Sequence, residues 1–528
     1  MARINVSNLT FCYEGSFDNI FEDVSFAIDT DWKLGFIGRN GKGKTTFLNL
    51  LLGKYEYRGV ISTPAVFEYF PYQITKKQML QCASDFLYEL RADCEIWRVI
   101  CELEKLHLDA DILYRSFGTL SHGERTKVLL AVLFSGDNYF LLIDEPTNHL
   151  DQKSREIVKE YLGQKKGFIL VSHDRDLLDA CVDHVLVLNR NSIEVQVGNF
   201  SSWWTNKERL DHFQRDENEK HKSEIRKLEK AAARCRNWAD KSERSKIGYD
   251  PIKEHERGNG SRPYIGAKTK KMQSRVKQLE KRIDDEIAQK EGLLKDIENP
   301  AELKMMPLKH HKEVLISARG YGIAYRDNTK QGSSVKMCGH SSGGRYEVFQ
   351  NFNLELQQGE RLFLRGENGC GKSSFLKAVL SHSPGGCDGN SNNMMEETGM
   401  LEVAGGLIIS YINQDTSFLK GGLESFCQER NLEQSLFKAI LRQLGMERVQ
   451  FAKEMEDFSE GQKKKVLVAA SLLTQAHLYI WDEPLNYIDV FSRMQIEKLL
   501  LQRKPTMLVV EHDVRFCEKI ATKVVEIG

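Results

Sequence analysis

Two patterns of apolar and polar positions recur along this chain, and each predicts a different element. Short runs that are apolar at nearly every position, at 33–37, 140–143 and 168–171, read as buried strands. Runs of the same kind return at 408–412, 479–481 and 508–510. Between these two groups the pattern changes to a narrow stripe at helical spacing. Ile225, Leu228, Ala232, Cys235 and Trp238 step by three and four, and Val276, Leu279, Ile283, Ile287, Leu294 and Ile297 resume the stripe after a break. Each stripe is surrounded by Lys, Arg and Glu, which predicts two long helices packed along one seam. The break, near 247–265, holds Pro251, Gly258, Asn259, Gly260 and Pro263, which stop a helix and turn the chain. At 1.5 Å per residue the first helix spans roughly 65 Å and the second roughly 45 Å.

Length fits this division. The 528 residues suffice for about three structural units, and the pattern puts them at 1–200, 201–300 and 301–528. The formal net charge of +0 names no partner. Its distribution is more informative, because residues 222–282 carry 19 Lys and Arg against 8 Asp and Glu. That excess suits either a solvated hairpin or one that meets nucleic-acid phosphates. The 11 cysteines stand singly, without CxxC pairs, which disfavours zinc and suits a reducing cytosol. The N-terminal residues run into strand-like alternation with no apolar signal core, and no run of about 20 apolar residues occurs. The expectation is a cytoplasmic protein with no membrane span.

The chemistry starts where the first buried strand ends. Gly38-Arg39-Asn40-Gly41-Lys42-Gly43-Lys44-Thr45-Thr46 follows Lys33–Ile37 and leads into an amphipathic helix, which is the phosphate loop GxxxxGK[ST] in its strand–loop–helix context. Its glycines let backbone N–H groups close around phosphates, and the helix N-terminus adds partial positive charge. Lys44 is expected on the β- and γ-phosphates and Thr45 on Mg²⁺. The run at 140–143 ends in Asp144-Glu145, a carboxylate for the Mg²⁺ shell followed by one that polarises an attacking water. Between these motifs, Leu120-Ser121-His122-Gly123-Glu124 reads locally as a helix N-cap, with Glu124 three residues after Ser121.

In this setting the pentapeptide resembles the LSGGQ signature of ABC ATPases, with His122 and Glu124 as departures. The resemblance extends to Gln73, similar to the Q-loop glutamine that reaches ATP and Mg²⁺, to Asn148-His149-Leu150-Asp151 as the D-loop, and to His173 in Ser172-His173-Asp174 as the switch histidine. Tyr13 sits where the family stacks an aromatic ring on adenine. The set then recurs. Gly366-Glu367-Asn368-Gly369-Cys370-Gly371-Lys372-Ser373, followed by Ser374, is a second phosphate loop. Gln414, Phe458-Ser459-Glu460-Gly461-Gln462, Asp482-Glu483, Asn486-Tyr487-Ile488-Asp489 and His512 follow in the same order, with Tyr325 as the second stacking ring. The fold class implied is α/β, two tandem ABC-type P-loop ATPase domains joined by a long antiparallel helical hairpin. In that family the lobes close head to tail on ATP and Mg²⁺, here within one monomer. One site then pairs Lys44, Thr45, Asp144 and Glu145 with Ser459 and Gly461. The other pairs Lys372, Ser373, Asp482 and Glu483 with Ser121 and Gly123, and Ser373, Asp482 and Gln414 serve its Mg²⁺.

Two lobes, a charged hairpin and no membrane span are most similar to the ABC-F family, whose members bind the 70S ribosome and direct the hairpin towards 23S rRNA, P-site tRNA and the peptidyl transferase centre. Gly198 to Trp204 resembles that family's approach to the hairpin. Gln73 to Leu120 is too short for the extra arm of housekeeping members, and the sequence stops at Gly528, shortly after His512. Those departures resemble the antibiotic-resistance members of the Lsa type, which protect against lincosamides, pleuromutilins and streptogramin A compounds. A general translation factor and an exporter ATPase subunit are the alternatives. The hairpin tip carries Lys246, Tyr264 and Ile265. Tyr264 either folds back to shape the loop or stacks on an RNA base, with Lys246 on a phosphate.

Overall fold

Five of the six apolar runs become inner strands of two parallel sheets, because a strand covered on both faces needs apolar side chains at successive positions, and the run at 408–412 forms an edge strand. The computed structural model describes residues 3–13, 19–136, 139–148, 150–189, 192–247, 270, 274, 277–279, 281–283, 286, 303–326, 345–383 and 395–527. In the first lobe the strand order is Val66–Phe70, Tyr139–Asp144, Phe168–Val171, Lys33–Ile37 and His184–Leu188, with Ile193–Val197 antiparallel at the edge. In the second, Ile409–Ile412, Leu478–Asp482, Met507–Val510, Arg361–Arg365 and Lys523–Glu526 repeat that order. Each lobe adds a three-stranded antiparallel sheet. Arg3–Phe11 lies between Phe21–Asp29 and Arg58–Ser62, and Val314–Arg326 lies between Arg345–Gln357 and Met395–Val403. The duplication seen in the motifs is therefore also a duplication of topology.

Parallel pairing brings the strand ends to one edge. Asp144 pairs with Val171, Phe36 with Val171, and Phe70 with Ile143. The phosphate loop, the Asp-Glu pair and the segment after Val171 thus emerge side by side, the position where open α/β sheets bind ligands. The ladder of the second lobe does the same with Leu364, Asp482 and Val510. Packing fixes the edge in place. Phe47 and Leu48, on the helix after the first loop, are fully buried against Phe36, Phe21 and Leu186 in one cluster. Phe375 and Leu376 repeat this in the second lobe with Tyr321 and Leu364.

Several motifs finish on a helix cap, which explains their local shape. Asp151 and Asp489 accept from the backbone N–H of Ser154 and Ser492 and start the helices Gln152–Gly163 and Val490–Arg503. Asp174 and Asp513, next after the two histidines, cap Arg175–Cys181 and Val514–Ile520. The pentapeptide read locally as a cap is one: Ser121 accepts from Glu124 N at 3.2 Å while Ser121 N donates to Glu124 Oε2 at 2.7 Å, a reciprocal capping box.

Met1–Trp203 and Ala301–Gly528 form one compact unit, and Trp204–Pro300 forms another. The first stripe folds as one helix of 48 residues, Phe200–Ile247, with Ile225 buried. Of the second stripe, residues 270, 274, 277–279, 281–283 and 286 are helical and Ile283 is buried. The tip residues Tyr264 and Ile265, the side chain of Lys246, and the inserts at 327–344 and 384–394 lie outside the described residues. No helix among the described residues is long and apolar enough to cross a membrane.

Candidate functional site

Both phosphate loops have the same backbone. Gly43 and Gly371, one residue before the helix, have φ of 105° and 100°. A Cβ there would lie 2.5 Å from Ile20 Cγ2 in one lobe and 2.4 Å from Val348 Cγ1 in the other. Both conformation and space therefore demand glycine. The lysines brace their own loops: Lys44 Nζ donates to Gly38 O at 2.7 Å and to Asn40 Oδ1 at 3.1 Å, and Lys372 Nζ donates to Gly366 O and Glu367 O at 2.8 Å each.

At the strand ends, Glu145 and Glu483 occupy left-handed backbone, with φ of 51° and 47°. Such residues cost about 1–3 kcal/mol and persist where the surroundings impose them. Glu145 is deeply buried beside Asp144, and those two causes push its carboxyl up to about 8, with Lys44 opposing. Burial and Asp482 raise Glu483 as well, with Lys464 and Asn486 opposing. Burial lowers His173 and His512, the latter to about 3, so both imidazoles are neutral at pH 7. His173 Nε2 lies 3.3 Å from Glu145 Oε1, and His512 Nε2 lies 3.8 Å from Glu483 Oε1. Thr45 Oγ1 donates to Asp144 Oδ2 at 3.0 Å, and Asp482 Oδ1 is buried with no hydrogen-bond partner among the described residues. A hydroxyl beside a carboxylate is a donor set that fits a hard cation such as Mg²⁺.

Each loop faces the opposite lobe across a cavity of about 400 Å³. In the first cavity Asn40, Gly41, Lys44, Thr45, Asp144, Glu145 and His173 meet Ser459 and Gly461, as the head-to-tail reading expects. Asn40 Nδ2 donates to Tyr487 O at 2.6 Å and ties the lobes together there. In the second cavity Asn368, Gly369, Gly371, Lys372, Ser373, Ser374, Gln414, Glu483 and His512 meet His122 and Arg155. Ser121, Gly123 and Asp482 are not among the residues lining it, nor do Gly38, Gly43 and Thr46 line the first.

Three placements refine the sequence reading. Tyr13 Oη and Thr46 Oγ1 are 2.8 Å apart, and Tyr325 Oη donates to Ser374 Oγ at 3.0 Å, so the two rings hold equivalent places despite the insert after Arg326. Gln414 donates to Glu483 Oε2 at 3.1 Å, whereas Gln73 is exposed and does not line the first cavity. The ladders give the reason. Phe70 and Ile412 both pair one residue before the strand-end aspartate, but Gln73 comes three residues after Phe70 and Gln414 only two after Ile412. Sequence order alone missed Gly445, Met446, Gln450 and Lys465, which line the first cavity, and Arg155 in the second. Only the matching spacing of Arg155 and Arg493, four residues after Asp151 and Asp489, pointed to either arginine.

Comparison with known proteins agrees with this geometry. The family model described as ABC transporter matches residues 21–148 and 349–486, half of the chain. Over 96% of this chain and 84% of the relative, the sequence is 28% identical to the ribosome protection protein VmlR of Bacillus subtilis (strain 168). It is 26% identical to the erythromycin resistance ATP-binding protein MsrA of Staphylococcus epidermidis, over 93% of this chain and 91% of the relative. A solved structure of the archaeal ribosome recycling factor aABCE1, in complex with the archaeal ribosomal stalk protein aP1, superposes with a TM-score of 0.58 at 17% identity, over 98% of this chain and 87% of that one, which shows a shared fold. Two phosphate loops, two strand-end Asp-Glu pairs and two switch histidines fall within or beside the matched segments, and the chain belongs to the ABC transporter family, with that family's ATP-binding ATPase domain present twice.

Proposed function

We propose that this chain is an ABC-F ATPase of the Lsa-like resistance type, which binds the ribosome in the cytoplasm and protects it from lincosamides, pleuromutilins and streptogramin A compounds. The observation that carries this reading is similarity along 96% of the chain to a ribosome protection protein. The basic excess at 222–282 supports a nucleic-acid partner, 23S rRNA and P-site tRNA, with Lys246, Tyr264 and Ile265 as the contacting tip.

The geometry supports a route to hydrolysis at each site. Backbone N–H groups of the loop and the Lys44 or Lys372 ammonium hold the phosphates, and the opposite lobe closes the cavity. Thr45 with Asp144, and Ser373 with Asp482 and Gln414, would hold Mg²⁺, which supplies charge neutralisation on the phosphates. In their ionised form Glu145 and Glu483 orient the attacking water and take its proton, and His173 and His512 sit beside them as neutral partners. Tyr13 and Tyr325 offer rings to adenine.

The test is an antibiotic panel on strains with and without this protein. Protection against the three drug classes that is lost in a Glu145→Gln/Glu483→Gln variant supports the proposal. Unchanged susceptibility together with a growth defect on deletion would instead favour a general translation factor.

A further inference from the structure

Two arginines stand in matching places of the two lobes, Arg493 buried and Arg155 partly buried. Arg155 follows the cap Asp151 by four residues, and Arg493 follows Asp489 by four, so each lies one helical turn into its helix. Each braces its own D-loop: Arg155 Nε donates to Leu150 O at 3.0 Å, and Arg493 Nε donates to Ile488 O at 2.9 Å. Each also holds the aspartate next to its own lobe's switch histidine. Arg155 Nη1 is 3.6 Å from Asp174 Oδ2, and Arg493 Nη1 is 3.0 Å from Asp513 Oδ2.

Arg155 also reaches the other lobe, and the field of Arg493 extends to it. Arg155 lines the second cavity with Lys372, Glu483 and His512, and its charge acts on His512. The Arg493 charge acts on Glu145 and His173 of the first lobe. The groups form a closed circuit. From His173 and its neighbour Asp174 it passes through Arg155 to His512, and from His512 and Asp513 it returns through Arg493 to His173. Neither guanidinium can lose its charge, so a shift of either D-loop helix changes the field at the opposite switch.

We propose that Arg155 and Arg493 are positioning residues that couple hydrolysis at the two sites, each tying the switch of its own lobe to the glutamate and histidine of the other. The proposal rests on the reading of Glu145 and Glu483 as the water-activating groups. A residue that merely braced the D-loop would alter stability or overall rate without altering how the sites depend on one another.

The test measures that dependence. If the sites are independent, the residual rates of Glu145→Gln and Glu483→Gln add up to the rate of the unmutated chain, whereas coupled sites leave a smaller sum. ATPase rates are compared for the chain, Glu145→Gln, Glu483→Gln and the double variant, each with and without Arg155→Lys plus Arg493→Lys. We expect that sum to fall about 10-fold or more below the glutamate-intact rate in the native background, and to stand within about twofold of it with the arginines replaced. If the lysine variants do not fold, Asp174→Asn plus Asp513→Asn reads the same quantity, since asparagine keeps the helix caps and removes the ion pairs. A sum already equal to the glutamate-intact rate in the native background, or a shortfall unchanged by breaking the bridges, overturns the proposal. Turnover surviving in the double glutamate variant would instead overturn the glutamate assignment, and the proposal with it.

Discussion

The two sites share a backbone and differ in what surrounds their glutamates. Glu483 Oε2 accepts from Asn486 Nδ2 at 2.7 Å and from Gln414 Nε2 at 3.1 Å, two bonds that favour the charged carboxylate. Glu145 Oε1 has no hydrogen-bond partner among the described residues, and burial with Asp144 pushes its carboxyl up to about 8. The first site is closed from the opposite lobe by Ser459, Gly461, Gly445 and Met446, the second by His122 and Arg155. Lys42 in the first loop reaches Glu447 of the second lobe at 3.3 Å, and its place in the second loop is taken by Cys370. Duplication has thus kept the groups that hold phosphate and changed those that set the charge and closure of each site. The two sites should not be interchangeable.

The largest test of the shared part uses the loop glycines. Gly43→Ala meets both left-handed strain and a 2.5 Å approach to Ile20, together worth about 3 kcal/mol. ATP affinity at the first site should fall by about 100-fold. Gly41, with φ of 81° and nothing within 4 Å of an added Cβ, meets only the strain, so Gly41→Ala should lose about tenfold. Equal losses in a nucleotide-binding titration would contradict the steric argument.

The differing part is tested next by the glutamines. Gln414→Ala removes a hydrogen bond to a buried carboxylate, of a kind worth about 1.5–3 kcal/mol, and turnover should drop about tenfold. Gln73→Ala, at an exposed position off the cavity, should stay within about twofold. A loss for Gln73→Ala as large as that for Gln414→Ala would mean that the first glutamine swings into the site when nucleotide binds.

These placements mark what the sequence could tell. The loops, strand-end carboxylates and histidines were legible because each sits at a strand end or helix cap, where local geometry fixes the side chain. Even the equivalence of Tyr13 and Tyr325 could be read across an insert, because strand pairing continues to Arg326 and resumes at Arg345. Gln73 was not placed by its order in the motif, since one extra residue after Phe70 carries it away from the site. Arg155, Met446 and Gln450 reach their cavities from the opposite lobe, and no periodicity within one lobe reports a contact to another. The apolar stripe identified a 48-residue helix, while Tyr264 and Ile265 at the tip lie outside the described residues.

A thiol reagent separates the sites chemically. Cys370 is partly exposed in the second loop, 3.9 Å from the Lys372 ammonium, so N-ethylmaleimide should add bulk where phosphate binds. Turnover should fall at least twofold, and Cys370→Ser should remove most of that sensitivity. Persistent inhibition of the Cys370→Ser variant would place the sensitive thiol elsewhere.

The smallest expected effect is on stability. The folded-state value of Glu145 lies above its unfolded value, so folding prefers the protonated form. Its favourable contribution is present in acid and is lost as pH rises towards about 8. Glu145→Gln should therefore raise the Tm of the nucleotide-free protein by more at pH 9 than at pH 5, by about 2 °C or more. Glu483→Gln should gain less, because the bonds from Gln414 and Asn486 lose their charge assistance. A gain for Glu145→Gln that does not depend on pH would remove the burial argument.

The proposed function requires that ATP held between the two closed lobes puts this chain on the ribosome. Sedimentation of Glu145→Gln/Glu483→Gln with purified 70S ribosomes, with and without Mg-ATP, tests this most directly. The hydrolysis step should be slowed by about 10²–10⁴-fold, so the closed form should persist and pellet near one copy per ribosome with ATP and not without it. Sedimentation that ignores ATP, or none under either condition, would contradict the account.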